Sequence, residues 1–374
     1  MPASLRASAL DAVWRARALR AQEQVLPGGA SVVSCQAPLG VGGLGRHVQE
    51  ILDAFERTGE PAVGICGADP DSERARPPLD RFRLLRPLTP LTRHLPAVRV
   101  QLGSARFDAR SAATLRSGEH LIAFNGSALA QFRAARRAQF ESVSLVSANS
   151  HMRRVVARHS RAYRQYPIER PWSRLILRRN LREYEQADRI YVASDYIWES
   201  FREEGFADER LACFPLTPDP RYEPLPQPSG ASTFDVVYVG SLLVHKGVPL
   251  LLDAFSRLEH PDLRLVLVGG WKTRSMRRFI EAACARDARI AVRPGDPLTH
   301  MRGARLCVHP AYEDGFAYAP AEALACGVPV LVSEDTGMKQ LITGDRDGLV
   351  LPTGDVHALA EAIDSAYRGE ILGD

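Results

Sequence analysis

From about Thr233 onward the chain alternates short β-branched runs with helical segments and sets turn residues between them, a grammar that restricts the fold to a parallel α/β sheet. Parallel strands need crossovers of a dozen residues or more, and a sheet covered by crossovers on both faces reads as continuous apolar runs. Strands are expected at 234–239, 263–268, 289–292, 305–308, 328–332 and 349–351, with helices at 248–258 and 272–286 between the first three. Pro249 falls in the first turn of the earlier helix, where its missing N–H is no loss. Six strands so connected make a Rossmann-like, doubly wound sheet.

The first half repeats the scheme with longer insertions: strands at 31–35, 61–66, 120–124, 142–147 and 189–193, a glycine loop after the first strand, and helices at 46–57 and 127–137. The run 210–214 leads into the proline-rich, polar stretch 218–232, the expected interdomain linker. A length of 374 residues fits two domains, 1–217 and 233–354, followed by a terminal helix at 355–374. The stretch 68–117, rich in proline and arginine and poor in periodicity, permits no assignment.

The six cysteines are dispersed, with no CxxC pair and no metal-ligand spacing, and read as reduced core residues of a cytosolic protein. Residues 1–25 interleave arginine with alanine and leucine and hold no apolar stretch of signal-peptide or membrane-span length, so an extra amphipathic helix is expected there. Lysine occurs only at 246, 272 and 339. Between 132 and 183 stand 13 arginines against three glutamates, with Tyr163, Tyr166 and Trp172 interleaved. That segment is either a solvated helical face or a surface for an anionic membrane, which would add a peripheral seat on the inner face of the plasma membrane to a cytoplasmic location. No nucleic-acid-binding motif accompanies the charge, and nucleic acid is not expected as a partner.

The longest motif, HPAYEDGFAYAPAEALACGVPVLVSE, follows a strand, opens a helix and ends in another strand. Gly315 permits close backbone approach, and the amides of Phe316 and Ala317 precede a helix whose first turn holds Pro320. A helix amino terminus with unpaired N–H groups suits a diphosphate. Glu322, read into the same first turn, offers a carboxylate for the vicinal diol of a ribose. Asp314, eight residues earlier, is placed for sugar hydroxyls or for charge developing at an anomeric carbon. Without a ligand the same pair reads as a helix cap and a glutamate favoured by the macrodipole.

In VVYVGSLLVHKGVPLLLDAF a strand, a turn at Gly240 and Ser241, and Lys246 before Gly247 place an ammonium at the sheet's carboxyl end, where it can neutralise a diphosphate. APLGVGGLGRHVQEIL superficially resembles a nicotinamide fingerprint, but the acidic residue that fingerprint needs is offered only by Asp69, in a loop. His151 follows the strand 142–147, and Asn125, Gly126 and Ser127 end the preceding strand in the same polar manner. Both positions also read as ordinary caps or packing residues.

The segment from Asp314 to Glu322 resembles the signature of family 4 retaining glycosyltransferases, in which two glutamates separated by seven residues bracket a Gly-Phe-Gly-like turn. Asp314, Gly315, Phe316 and Glu322 match by spacing, and the following ALACGVPVLVSE is also typical. Asp314 replaces the usual glutamate, Ala317 replaces the second glycine, and Glu313 beside Asp314 is a second candidate for the donor-sugar contact. The resemblance implies a GT-B fold, two Rossmann-like doubly wound domains facing a central cleft, with 1–217 on the acceptor side, 233–354 binding the nucleotide sugar and the last helix near the interdomain interface. It supports Lys246 as the counter-charge of the leaving diphosphate, while Ser241 stands where family members often carry an arginine. It carries over Gly42 and Gly43 as donor-side contacts, Arg46 as an acceptor-side candidate, and His151 as the best match to a histidine that touches the donor sugar; Asn125, at the polar end of the preceding strand, is a further acceptor-side candidate.

The activity so implied is transfer of a sugar from a nucleotide-diphosphate sugar to a hydroxyl acceptor, with retention of anomeric configuration. No HExxH, no DxD between strands and no His/Cys cluster offers a metal site, so neither a metal nor a cofactor is expected. A GT-B epimerase or phosphorylase, and a catalytically silent binder of sugar nucleotides, remain as alternatives.

Overall fold

The computed structural model describes residues 3–67, 75–76, 96–169, 173–224 and 233–372. The chain divides into a first-sheet unit, Ala18–Val156 with Trp172–Leu216, and a second-sheet unit, Met1–Arg17 with Ala157–Pro171 and Thr217–Asp374. Most of the linker expected at 218–232, and Asp69, lie outside the described residues.

The first sheet holds β1 (Ser31–Cys35), β2 (Ala62–Cys66), β3 (Ala75–Arg76), β4 (His120–Phe124), β5 (Ser142–Ser147), β6 (Arg189–Val192) and β7 (Leu211–Cys213). Its order is β3-β2-β1-β4-β5-β6-β7, and its neighbouring strands run parallel. Val33, Leu121, Ile122, Val143, Leu145 and Ile190 are fully buried, as a sheet covered on both faces requires. The helices in chain order are α1 (Ala3–Val25), α2 (Gly42–Thr58), α3 (Pro96–Thr114), α4 (Leu129–Arg137), α5 (Met152–Gln165), α6 (Ser173–Gln186) and α7 (Asp195–Arg202).

Two details differ from expectation. Helix α2 begins at Gly42, so Gly42 and Gly43 open the helix and the glycine loop is correspondingly short. A Cβ on Gly45 would lie 2.1 Å from the Pro38 carbonyl oxygen, and this close approach of loop to helix is what makes a side chain there impossible. Secondly, α3 occupies much of the stretch that gave no sequence assignment, and its Asp108 has a structural task. Asp108 accepts from the Ala130 and Gln131 amides at the start of α4, while Glu183 of α6 accepts from the Gly126 and Ala128 amides. Carboxylates from two other helices thus take up amides at and just before the start of α4, whose N-cap residue, Ala128, has no side chain able to do so. Arg179 pairs with both carboxylates.

The second sheet holds β8 (Phe234–Val239), β9 (Leu263–Val268), β10 (Ile290–Val292), β11 (Leu306–His309), β12 (Val330–Ser333) and β13 (Gly348–Leu351), in the order β10-β9-β8-β11-β12-β13 and again parallel. Helices α8 (Val248–Phe255), α9 (Arg274–Arg286), α10 (Pro297–Arg302), α11 (Tyr318–Ala325) and α12 (Val356–Tyr367) complete it. Leu251, Phe255 and Ile363 are buried without residual exposure in one core with Leu265 and Val308. Strand order reverses between β8 and β11, so the loops leaving these two strands flank the switch point where open α/β sheets bind ligands.

Three buried histidines are held neutral by burial, which pushes His47 and His159 down to about 3 and His151 to about 4. These values lie below the ordinary imidazole value near ~6.5, so the unfolded chain binds more protons, and the stability they confer is complete above ~6.5 and lost as pH falls toward 3–4. His47 lies between Phe124 and Phe214, at ring separations of 5.1 and 6.1 Å. The urea midpoint is therefore expected to drop steadily from pH 7 to pH 5. His47→Phe, which keeps the ring and removes the proton site, should flatten that slope by up to ~1.4 kcal/mol per pH unit; an unchanged slope would rule His47 out as a contributor.

Candidate functional site

The loop leaving β8 and the loop leaving β11 are forced into contact by one glycine. Gly247, the N-cap of α8, has φ +75°, and a Cβ there would stand 2.0 Å from the Pro310 carbonyl oxygen. This approach brings Lys246 against the segment that follows β11. Lys246 Nζ lies 2.7 Å from Asp314 Oδ2 and 3.4 Å from the Glu313 carbonyl oxygen. His309, at the end of β11, places Nε2 3.0 Å from the same Asp314 oxygen, and its ring stacks parallel to Tyr238 of β8. Burial alone would raise the Asp314 carboxyl, but the Lys246 ammonium and the His309 contact outweigh it and hold the group well below the usual carboxylate range.

Backbone bonds fix the 314–317 turn from both sides. Tyr312 N donates to the His245 carbonyl at 2.9 Å, and Asp314 N to that of Asp335 at 3.0 Å. In the other direction Gly337 N donates to Asp314 O at 2.9 Å and Met338 N to Phe316 O at 2.7 Å. The turn ends in Ala317, with φ +68°, a left-handed conformation rare for a residue with a Cβ. Among the described residues the amides of Phe316 and Ala317 donate to no protein acceptor. They stand at the amino end of α11.

Helix α11 starts at Tyr318, which makes Pro320 its third residue and Glu322 its fifth, one step beyond the first turn where the sequence reading set it. The left-handed Ala317 consumes the residue that would otherwise have begun the helix. Glu322 is 3 % exposed and Glu313 fully buried, whereas Asp314 keeps 18 % of its side-chain surface. Of the two adjacent acids, Asp314 is the one that carries the ammonium and still meets solvent. Ser241 is half-buried, and its carbonyl accepts the Tyr238 hydroxyl at 3.0 Å.

The segment 157–169 adds three supports the sequence did not reveal. Arg158 Nε donates to Asp335 Oδ1 at 2.9 Å, and Thr353 holds the other Asp335 oxygen at 2.7 Å. His159 stacks on His245 at 4.2 Å, next to Lys246 in sequence. Glu169 accepts the Val244 amide at 3.0 Å and the Thr273 hydroxyl at 2.6 Å, tying the loop after β8 to the N-cap of α9. His309 ends β11 and Asp335 stands two residues past β12, the only sequence signal they gave.

In the first-sheet unit, Gly42, Gly43 and Arg46 follow β1 and Asn125 follows β4, the two strands at which that sheet's order reverses. Asn125 Nδ2 donates to Asn180 Oδ1 at 2.9 Å. Gly42 and Gly43 are exposed and Arg46 half-buried. His151 is 2 % exposed, its ring packed by Tyr184, Phe201 and Phe206 at 4.9 to 5.8 Å. Among the described residues no group of three His, Cys, Asp or Glu side chains is arranged to hold a metal ion.

Residues 226–373 match the family described as glycosyl transferases group 1. Capsular polysaccharide biosynthesis glycosyltransferase CapM of Staphylococcus aureus is 24 % identical over 144 residues, 37 % of this chain and 38 % of that protein. D-inositol 3-phosphate glycosyltransferase of Mycobacteroides abscessus is 29 % identical over 149 residues, 37 % of this chain and 31 % of its own length. The chain spans about half, or less, of the length of the curated relatives it matches. Sucrose-phosphate synthase from Thermosynechococcus elongatus superposes with a TM-score of 0.65 at 19 % identity, covering 91 % of this chain and 90 % of that one. Anabaena HepE in complex with UDP-glucose gives 0.61 at 14 % identity, with 91 % and 90 % covered. The architecture is thus of the α/β, GT-B type, with two Rossmann-like doubly wound sheets.

Ala317→Gly removes the left-handed strain while loosening the unfolded chain, and is expected to raise unfolding stability by about 0.5–1 kcal/mol in urea titrations. A destabilised variant would show that the alanine methyl contributes packing that outweighs its strain.

Proposed function

Because residues 226–373 match the family described as glycosyl transferases group 1, we propose that the chain moves a sugar from a nucleotide-diphosphate sugar to a hydroxyl acceptor. The observation that carries the reading is the Lys246–Asp314 contact of 2.7 Å, at the switch point of the second sheet and next to the open amides of Phe316 and Ala317. The amides and the α11 amino terminus receive the diphosphate, and Lys246 Nζ neutralises charge as it departs. Asp314 Oδ2 is occupied by Lys246 and His309, which leaves Oδ1 for a donor-sugar hydroxyl. Glu322 accepts the ribose diol, with Glu313 and Ser241 lining the donor side. Gly42, Gly43, Arg46 and His151 are assigned roles on the basis of the family resemblance, and Asn125 as an acceptor-side residue from its place after β4.

Positive charge and oriented amides serve here where other transferases use a divalent cation, so transfer proceeds without a metal. Attack of the acceptor hydroxyl on the face the diphosphate leaves gives retention, as the resemblance implies. The solved HepE complex with UDP-glucose supports a nucleotide-sugar donor of this kind.

Lys246→Ala is expected to lower transfer at least a hundredfold, on the scale of losing one group that stabilises developing charge. Glu322→Ala should act chiefly through donor affinity. Both are measured against a panel of uridine, guanosine and adenosine diphosphate sugars with product analysis. Folded variants with wild-type rates on every donor would sink the assignment; free sugar or phosphate-dependent product would point to an epimerase or phosphorylase, and donor binding without turnover to a silent binder.

A peripheral, cytoplasmic-face membrane seat forms part of the same proposal. Arg133, Arg137, Arg178 and Arg182 stay exposed on α4 and α6, whereas Arg136, Arg154 and Arg179 are engaged with Asp188, Glu203 and the Asp108–Glu183 pair. Sedimentation with anionic vesicles should exceed that with zwitterionic vesicles and fall with salt. Equal sedimentation would argue for a solvated face instead.

A further inference from the structure

We propose that Trp14 is a positioning residue of the nucleotide-sugar site, holding through Phe316 the left-handed turn that presents the Phe316 and Ala317 amides to a diphosphate. The inference rests on the diphosphate reading of that turn. Trp14 and Phe316 stack with ring centres 6.5 Å apart and planes at 14°, and Tyr318 meets the Phe316 ring edge-on at 5.5 Å. Both geometries are favourable for aromatic pairs. The covering leaves Phe316 only 2 % exposed. The residue following Trp14 anchors the middle of α1, since Arg15 Nη2 donates to the Pro218 carbonyl at 2.6 Å.

The effect on the turn follows from what each end of Phe316 is attached to. Its carbonyl is fixed by the Met338 amide at 2.7 Å, and its ring is fixed by Trp14 and Tyr318. With carbonyl and ring both held, the peptide joining Phe316 to Ala317 has no room to turn over. Ala317 is thereby kept at φ +68°, a conformation that its own Cβ disfavours. Without the indole, the ring is free to swing and the turn to relax, which would carry the two amides off the ligand. Trp14 touches no reacting atom in this scheme. It acts through Phe316.

The test uses the full chain, with Trp14→Ala, Trp14→Phe and the double variant Trp14→Ala with Ala317→Gly, titrated calorimetrically with uridine, guanosine and adenosine diphosphate. The expected result is a threefold to tenfold weaker Kd in Trp14→Ala for whichever diphosphate the wild type binds, the range an aromatic pair supplies. Trp14→Phe should stay within about twofold, and glycine at 317, which adopts the turn without strain, should restore most of the loss. An unchanged Kd in Trp14→Ala overturns the proposal, as does a loss that neither Trp14→Phe nor Ala317→Gly restores. Should Trp14→Ala fail to fold, emission decides: diphosphate should alter tryptophan fluorescence in the wild type and leave Trp14→Phe unaltered, and equal changes in both overturn it. If the wild type binds none of the three, the diphosphate reading falls and takes the proposal with it; binding that Trp14→Ala leaves intact removes the proposal alone.

Discussion

A single carboxylate oxygen, Asp314 Oδ2, joins the two strand ends on which the second-sheet site depends. It receives Lys246 from the crossover after β8 and His309 from the end of β11, at 2.7 and 3.0 Å. The pair is only partly exposed, 21 % for Lys246 and 18 % for Asp314, so losing either partner would leave a charge with little water to replace it. Backbone geometry makes the meeting possible. Gly247 must lie against the Pro310 carbonyl, and no residue with a Cβ can do so. The carboxylate is one methylene shorter than a glutamate, yet it reaches both partners, because the backbone of the turn is drawn in by the Asp335 carbonyl and the Gly337 amide.

Arginine is put to a different use from the one its abundance brings to mind. Arg158 and Arg179 of the basic segment 132–183 neutralise buried acids, Asp335 in the first case and two carboxylates that cap a helix in the second. Arg179 serves Asp108 and Glu183, which between them accept four amides around the start of α4. Burial pushes the Glu183 carboxyl up to about 7, so the amides and the guanidinium are what keep it useful as an acceptor near neutral pH. The basic character is therefore part architecture and part surface, with the exposed residues on α4 and α6 making up the second part.

Strands were the most legible elements, because parallel strands buried on both faces are written as runs such as VVYV and LRLVLV, bounded by glycine. All six strands of the second sheet fall where such runs predict them. That Lys246 and Asp314 follow β8 and β11, and that Glu322 lies on the helix after β11, was legible for a related reason: the strand ends are marked in the sequence. The contacts that give them their properties were not. Asp335, Arg158 and Glu169 act over long sequence separations that no local pattern records, and His309, five residues before Asp314, gave no spacing signal of its own. Helix α3 was lost in a proline- and arginine-rich stretch with weak periodicity. The placement of Glu322 one step too early came from a backbone angle, the left-handed Ala317, which residue type argues against.

The second sheet takes support from a piece of chain that precedes it by some distance in sequence. Glu169 caps the Val244 amide and the Thr273 hydroxyl, Arg158 neutralises the buried Asp335, and His159 covers His245. A recombinant fragment beginning at the linker would contain every strand of that sheet and none of these three groups. It would start life with the Val244 amide uncapped and with a buried acid that has lost its guanidinium and keeps only partners such as the Thr353 hydroxyl. A chimera that exchanges this sheet between relatives must accordingly move residues 157–171 together with it, because the unit is discontinuous in sequence.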